Sequence, residues 1–81
     1  MSISFDDIKQ LIENVPESAT LRIASNGESF YFARRGIETT VSPDGDVVQL
    51  QGKVGSTADT MRPGAVVVRT GRIDFMQLVI S

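Results

Sequence analysis

The sequence contains no cysteine, no histidine and no tryptophan. Without cysteine, the chain can form no disulfide, thiolate nucleophile, iron–sulfur cluster or sulfur-ligated zinc site. Without histidine, it lacks the side chain whose ordinary pKa lies near neutrality, so Ser-His-Asp and Cys-His catalytic arrangements are excluded. We therefore expect no cofactor, no metal and no enzymatic activity, and we expect stability to come from packing alone.

Long apolar runs are also missing. The longest one, Ala65 to Val68, is far shorter than the roughly 20 residues that span a bilayer. Near the N-terminus, Asp6 and Asp7 occupy positions where an export signal would carry basic residues before a longer apolar stretch. We expect a protein that neither crosses a membrane nor is exported, and the cytoplasm is its expected compartment.

Charge is nearly balanced, with eight basic and ten acidic residues and a net charge of −2. This imbalance is too small to indicate a nucleic-acid binder or a DNA mimic. The first twenty residues are acidic, because only Lys9 opposes their four carboxylates, and the remainder is slightly basic. The 81 residues suffice for one domain, spanning 1–81, that buries about 60–65% of its unfolded surface.

The N-terminal segment has the pattern of an amphipathic helix. Ser4 and Asp7 have the spacing of a capping box, and Pro16 provides a stop signal. Between these signals the apolar residues recur with helical spacing and form one stripe. The pattern predicts a helix from Phe5 to Val15 whose apolar stripe consists of Phe5, Ile8, Leu11, Ile12 and Val15.

A β-hairpin is predicted next, because two alternating runs, 20–25 and 28–34, flank the turn dipeptide Asn26-Gly27. A two-residue loop places Arg22 opposite Tyr31 on one face, where the guanidinium can lie over the phenol ring. The other face belongs to the core beneath the helix, and it carries Leu21, Ile23, Phe30 and Phe32.

Four more strands are predicted, at 37–41, 46–51, 65–69 and 72–80. Residues 42–45 read Ser-Pro-Asp-Gly, which favours a tight turn, and 52–64 read as a loop with one helical turn near 56–61. The last strand has apolar residues of both parities, so either both its faces are covered or a bulge near Phe75-Met76 changes the register. The predicted fold is α+β, with one N-terminal helix on an antiparallel sheet of five or six strands that can curl toward a barrel.

Two segments suggest ligands at first sight. Residues 52–57 combine glycine, lysine and hydroxyl groups, but their spacing is not that of a phosphate-binding loop, and a plain mobile loop is the favoured interpretation. Asp44 and Asp46 flank a glycine, but the chain lacks the further oxygen ligands of a calcium loop, and turn formation accounts for them.

The arginines are the better candidates. If residues 70–71 form a tight hairpin turn, Arg69 and Arg72 lie directly opposite each other and could clamp a phosphate or a carboxylate. The alternative, which we favour, is that both extend into solvent or pair with Asp74 and Glu38.

By elimination, the sequence favours a non-enzymatic protein-binding module that acts by occluding a surface of another protein. In size and composition alone it resembles small inhibitors from phages and mobile elements, including anti-CRISPR proteins. The predicted contact residues are Arg22, Tyr31, Arg34, Arg35, Arg69 and Arg72.

Two further possibilities stay open. The arginine cluster could instead bind a nucleic acid or a nucleotide, although outward-facing aromatic residues are few. A homodimer through the last strand is compatible with either function, because an unpaired sheet edge favours partners.

Overall fold

The computed structural model describes residues 3–80 of the chain, and for Ile80 it describes the backbone but not the side chain. This part of the chain contains one α-helix, six β-strands and one short 3-10 turn at Thr70–Arg72. The elements in chain order are α1 (Phe5–Asn14), β1 (Thr20–Ser25), β2 (Glu28–Ala33), β3 (Glu38–Val41), β4 (Val47–Gly55), β5 (Arg62–Arg69) and β6 (Ile73–Ile80).

Helix α1 begins at the predicted capping box. The Asp7 backbone N–H donates to Ser4 Oγ at 3.2 Å, and the Ser4 backbone N–H donates to Asp7 Oδ2 at 3.0 Å. These two bonds satisfy amides that have no partner inside the helix. At the other end, Val15 is already extended, because a residue before proline is disfavoured in the helical conformation.

The β1–β2 hairpin has the predicted turn and the predicted register. Asn26 (φ 53°) and Gly27 (φ 81°) both have positive φ, which is the geometry of the tight turn that matches the twist of paired strands. Arg22 lies opposite Tyr31. On the core face, Phe30 is half-buried and the other three residues are buried, with Leu21 opposite Phe32 and Ile23 opposite Phe30.

The six strands form one antiparallel sheet that does not close into a barrel, so the α+β prediction is confirmed and the barrel alternative is not. The strand order is β3-β4-β2-β1-β6, and β5 pairs with the other side of β4. The helix covers one face of this sheet. The buried apolar core consists of Ile8, Ile12, Leu21, Ile23, Phe32, Val48, Leu50, Val54, Val68 and Ile73.

The segment predicted as a loop at 52–64 is mostly strand. Strand β4 continues through Gly55 and β5 begins at Arg62, so the connecting loop is confined to 56–61 and contains a turn rather than a helix. Glycine is needed at both Gly52 and Gly55, because a side chain at either position would lie too close to neighbouring atoms. Gly52 has φ 155°, and a Cβ at this position would lie 3.1 Å from Ile37 Cδ1.

Strand β6 contains bulges, which explain why its apolar residues occur at both odd and even positions. Its register against β1 shifts once between Phe75 and Ile73 and again between Ile80 and Leu78. The first shift allows both Ile73 and Met76 to face the core. The bulge therefore lies at Asp74, slightly before the predicted Phe75-Met76 position, and the side chain of Ile80 lies outside the described residues.

Candidate protein-contact face

The sheet face that points away from α1 gathers the most distinctive surface residues. Because side chains alternate along a strand, the neighbours of the buried residues point to this second face. We call this surface the outer face, and it consists of Arg22, Ala24, Ser29, Tyr31, Phe75 and Gln77.

Arg22 is held in place at the middle of the outer face. Its Nε and Nη2 atoms donate to Ser29 Oγ at 3.1 and 2.9 Å. Its guanidinium carbon lies 5.2 Å from the centroid of the Phe75 ring, within the range of a cation–π interaction. These contacts come from strands on both sides of β1, so they restrict the side chain that would otherwise be among the most mobile.

The guanidinium therefore lies over the ring of Phe75, and not over that of Tyr31 as the hairpin register allowed. Phe75 takes this position because β6 lies beside β1 and pairs it with Ala24, diagonally adjacent to Arg22. Ala24 is small and leaves room for the aromatic ring and the guanidinium to stack. Nothing in the local sequence around the hairpin shows that β6 is its neighbour, so this contact could not be found from spacing.

Tyr31 lies at the other side of the outer face. It is half-buried and faces Arg22 on β1 and Gly55 on β4. The 56–61 loop comes close at this point, since a Cβ on Gly55 would lie 2.9 Å from the Thr60 carbonyl oxygen. The outer face is thus bounded by β6 on one side and by this loop on the other.

Arg34 and Arg35 lie at the open end of the hairpin and have different environments. Arg34 is half-buried, and its Nε donates to the carbonyl oxygen of Ile12 in the last turn of α1 at 2.6 Å. Arg35 has a side chain that is 76% exposed, and its Nε lies 3.9 Å from Glu17 Oε2. The first is built into the fold, whereas the second is available at the surface.

The condition under which Arg69 and Arg72 would face each other, a tight hairpin turn at 70–71, is not met. Residues Thr70–Arg72 form the 3-10 turn, and the strands on its two sides pair with different neighbours, β5 with β4 and β6 with β1. The two arginines nevertheless line a common cleft of about 230 Å³ together with Asp46 and Gly71. A neighbouring cleft of about 210 Å³ includes both arginines and Phe30.

No carboxylate among residues 3–80 lies within 4 Å of the guanidinium of Arg69 or Arg72. Of the two arrangements that this interpretation allowed, pairing with Asp74 and Glu38 is not found, and exposure of both arginines to solvent is found. The six predicted contact residues thus divide into three groups. Arg22 and Tyr31 lie on the outer face, and the other two pairs lie near opposite ends of the hairpin.

The remaining candidates have structural explanations. Gly52 to Gly55 lie in β4, so the glycines and the lysine of segment 52–57 belong to a strand and do not form a phosphate-binding loop. Asp44 Oδ1 accepts from Ser42 Oγ at 2.6 Å and from the Asp46 backbone N–H at 3.1 Å, and the Ser42 hydroxyl in particular holds the pKa of Asp44 below its ordinary value. Across the described part of the chain, no three acidic side chains are grouped closely enough to hold a metal ion.

Another cleft, of about 500 Å³, lies between the start of α1 and the turn that joins β3 to β4. Its polar groups are largely engaged already, because Ser4 caps the helix while Ser42 and Asp44 stabilise the turn. It offers no basic side chain to pair with the carboxylates. This cleft therefore supports the fold rather than indicating a ligand.

Comparison of the chain with protein-family models, curated proteins and solved structures finds no match. Over the described residues, the fold is an α+β domain with one helix on a six-stranded antiparallel sheet. Over residues 3–80, no helix has the length and apolar character required to cross a membrane.

Proposed function

We propose that this protein is a small, non-enzymatic, cytoplasmic module that binds another protein and occludes one of its surfaces, in the manner of phage or mobile-element inhibitors of the anti-CRISPR kind. The observation that carries the proposal is Arg22, which is held between Ser29 and Phe75 beside Tyr31 on the outer face. On this face Arg22, Ser29 and Tyr31 are half-buried, and Phe75 and Gln77 are exposed.

The residue types on this face are those that contribute most to protein interfaces. Arginine and tyrosine are enriched among the few residues that carry most of the binding free energy, and they act best when fixed before binding. Arg22 is already fixed by two hydrogen bonds and one aromatic ring. Binding therefore requires little further ordering of this side chain.

The geometry also indicates what the partner offers. Within residues 3–80, the Arg22 side chain donates hydrogen bonds only to Ser29, through Nε and Nη2, so Nη1 can donate to an acceptor on the partner. A carboxylate surrounded by apolar side chains would complement Arg22 together with the rings of Phe75 and Tyr31. We expect an acidic residue at the centre of the partner's contact surface.

Binding of a nucleic acid or nucleotide through the arginines is the alternative. The cleft shared by Arg69 and Arg72 favours an anion, because neither guanidinium has a carboxylate within 4 Å in the described chain. However, the six predicted contact residues form three separate groups rather than a continuous basic stripe, and the net charge is negative. The arrangement therefore fits a phosphate backbone less well than a protein surface.

The test is affinity capture from the source cells with a tagged chain, followed by measurement of the dissociation constant with the purified partner. We expect Arg22→Glu to weaken binding at least tenfold, since it removes a central charged anchor. The matched control is Arg62→Glu, which reverses the same charge at an exposed position on β5, and it should bind like the wild type. Arg35→Glu and Arg69→Glu then show whether the contact extends to either end.

Two results would contradict the proposal. One is equal binding by the Arg22→Glu and wild-type chains. The other is recovery of nucleic acid whose binding weakens steeply with added salt, because counterion release makes phosphate contacts salt-dependent. A protein contact with an apolar centre should change little over the same range.

A further inference from the structure

Strand β6 has a free edge of an unusual kind. In the described sheet, β6 hydrogen-bonds only to β1, while β3 and β5 each pair with β4 alone. Strand β3 has only four residues, and β5 carries an arginine at each end and a proline at position 63. Short length, charge and proline each disfavour the pairing of a further strand. Strand β6 has eight residues, no proline, and Asp74 as its only charge.

The side chains of β6 are also unusually apolar for an exposed strand. Three of the five exposed large apolar side chains among the described residues belong to it, namely Phe75 (39% exposed), Leu78 (46%) and Val79 (37%). Apolar side chains gathered along an unpaired edge indicate a contact that the isolated chain does not satisfy.

The order of residues along β6 shows which strand fits. Residues 75–79 read Phe-Met-Gln-Leu-Val, with one polar residue at the centre and two apolar residues on each side. An antiparallel copy of the same segment, paired about its centre, places every apolar residue opposite another apolar residue. A shift by two residues in either direction loses this match, and a shift toward the strand start also places Asp74 opposite an apolar residue.

We infer that β6 pairs with β6 of a second copy of this chain, antiparallel and around a two-fold axis at Gln77. In this register Gln77 faces the same residue of the partner subunit, and Met76 faces Leu78 of the partner subunit. The two Asp74 carboxylates lie near opposite ends of the paired segment, about 20 Å apart along the strands, so they do not repel strongly. Phe75 comes next to Val79 of the partner subunit, at the bulge that ends the regular segment.

The dimer has a consequence for the outer face. A two-fold axis perpendicular to the sheet keeps each face on its own side, so the two outer faces become one continuous surface and both α1 helices lie on the opposite side. This pairing goes beyond the proposed function and does not depend on it. A dimer can form whether or not the doubled face binds another protein.

The test is the molar mass in solution, measured by analytical ultracentrifugation from about 1 µM to about 1 mM chain. We expect the mass to rise with concentration from that of the 8.8 kDa chain toward twice this value. Gln77→Glu places two like charges directly across the axis and should keep the protein monomeric over this range. Within one chain the new carboxylate lies opposite Arg22, so the fold should be retained.

A mixture of variants tests the position of the axis. Gln77→Lys alone should also be monomeric, whereas an equimolar mixture of Gln77→Glu and Gln77→Lys should recover the doubled mass. The matched control is Gln49→Glu, an exposed glutamine in the interior strand β4, which should dimerise like the wild type. Circular dichroism of each variant confirms that it is folded.

Every other outcome would overturn the inference. A wild-type chain that stays monomeric to about 1 mM has no such pairing. A dimer that tolerates both substitutions at Gln77 is formed elsewhere, and so is one that the Gln49→Glu control disrupts equally. Loss of the dimer without recovery in the mixture would show that Gln77 does not lie on the axis.

Discussion

Arg34 offers the most decisive test of how the helix is joined to the sheet. Helix α1 has no basic residue in its last turn, where the carbonyl groups have no partners inside the helix and carry partial negative charge. The residue that follows β2 supplies the missing cation, because the Arg34 Nε donates to the Ile12 carbonyl oxygen at 2.6 Å. We expect Arg34→Ala to destabilise the fold through the loss of this bond.

The magnitude follows from the chemistry of the contact. A hydrogen bond from a charged donor contributes about 1.5–3 kcal/mol to stability, and a cation at a helix C-terminus contributes about 0.3–1 kcal/mol. Because Arg34 is only half-buried, water replaces part of the interaction in the variant, and we expect a net loss of about 1–2 kcal/mol. For a domain of this size, that loss lowers the melting temperature by about 4–16 °C.

The neighbouring residue provides the control. Arg35 is 76% exposed and lies 3.9 Å from Glu17, so Arg35→Ala should change stability by no more than about 0.5 kcal/mol. Urea titration and thermal melting followed by circular dichroism measure both variants, which remove the same charge at adjacent positions. If the two lose equal stability, the contact with Ile12 does not stabilise the helix and the reasoning fails.

Two further predictions concern a glycine and a turn. Gly55→Ala should cost about 1–3 kcal/mol in urea titration, because the new Cβ would lie 2.9–3.0 Å from backbone atoms of Thr60 and Met61, whereas Gly71→Ala, with nothing within 4 Å, should be nearly neutral. The lowered pKa of Asp44 means that its turn contacts stabilise the fold above the ordinary aspartate pKa and are lost as pH falls through the lower, folded-state pKa. Urea midpoints between about pH 6 and pH 2 should therefore fall more for the wild type than for Asp44→Asn, and parallel curves would refute this.

The features that could be predicted from the sequence are those that neighbouring residues determine. The capping box needs only Ser4 and Asp7, three positions apart, and the hairpin register follows once Asn26 and Gly27 supply positive φ. In both cases the interacting groups are close along the chain, so the local sequence is sufficient to determine the structure. This is why α1 and the first hairpin agree with the structure almost residue for residue.

The features that could not be predicted depend on strands that are distant along the chain. Gly52 and Gly55 were predicted to lie in a loop, but both lie in β4. Glycine is required at these strand positions because other segments of the chain pass too close to leave room for a side chain. The stacking of Arg22 on Phe75 requires β6 to lie beside β1. Likewise, the sequence around Arg34 does not show that the end of α1 lies beside this residue. The absence of a basic residue in the last turn of α1 was a signal that the helix end could receive a cation from another element.

Phe75 links the two proposals, because its ring supports Arg22 on the outer face while its backbone belongs to the free edge of β6. A substitution there would weaken both contacts together and could not tell one from the other. Arg22 and Gln77 lie opposite each other on β1 and β6, and both belong to the outer face, so each substitution is measured in both assays. Arg22 lies on β1, which has β2 and β6 on its two sides, so Arg22→Glu should weaken partner binding and leave the β6 backbone free to pair, whereas Gln77→Glu should prevent the pairing. A chain that dimerises without binding a partner, or binds without dimerising, would show that the face and the edge serve separate purposes.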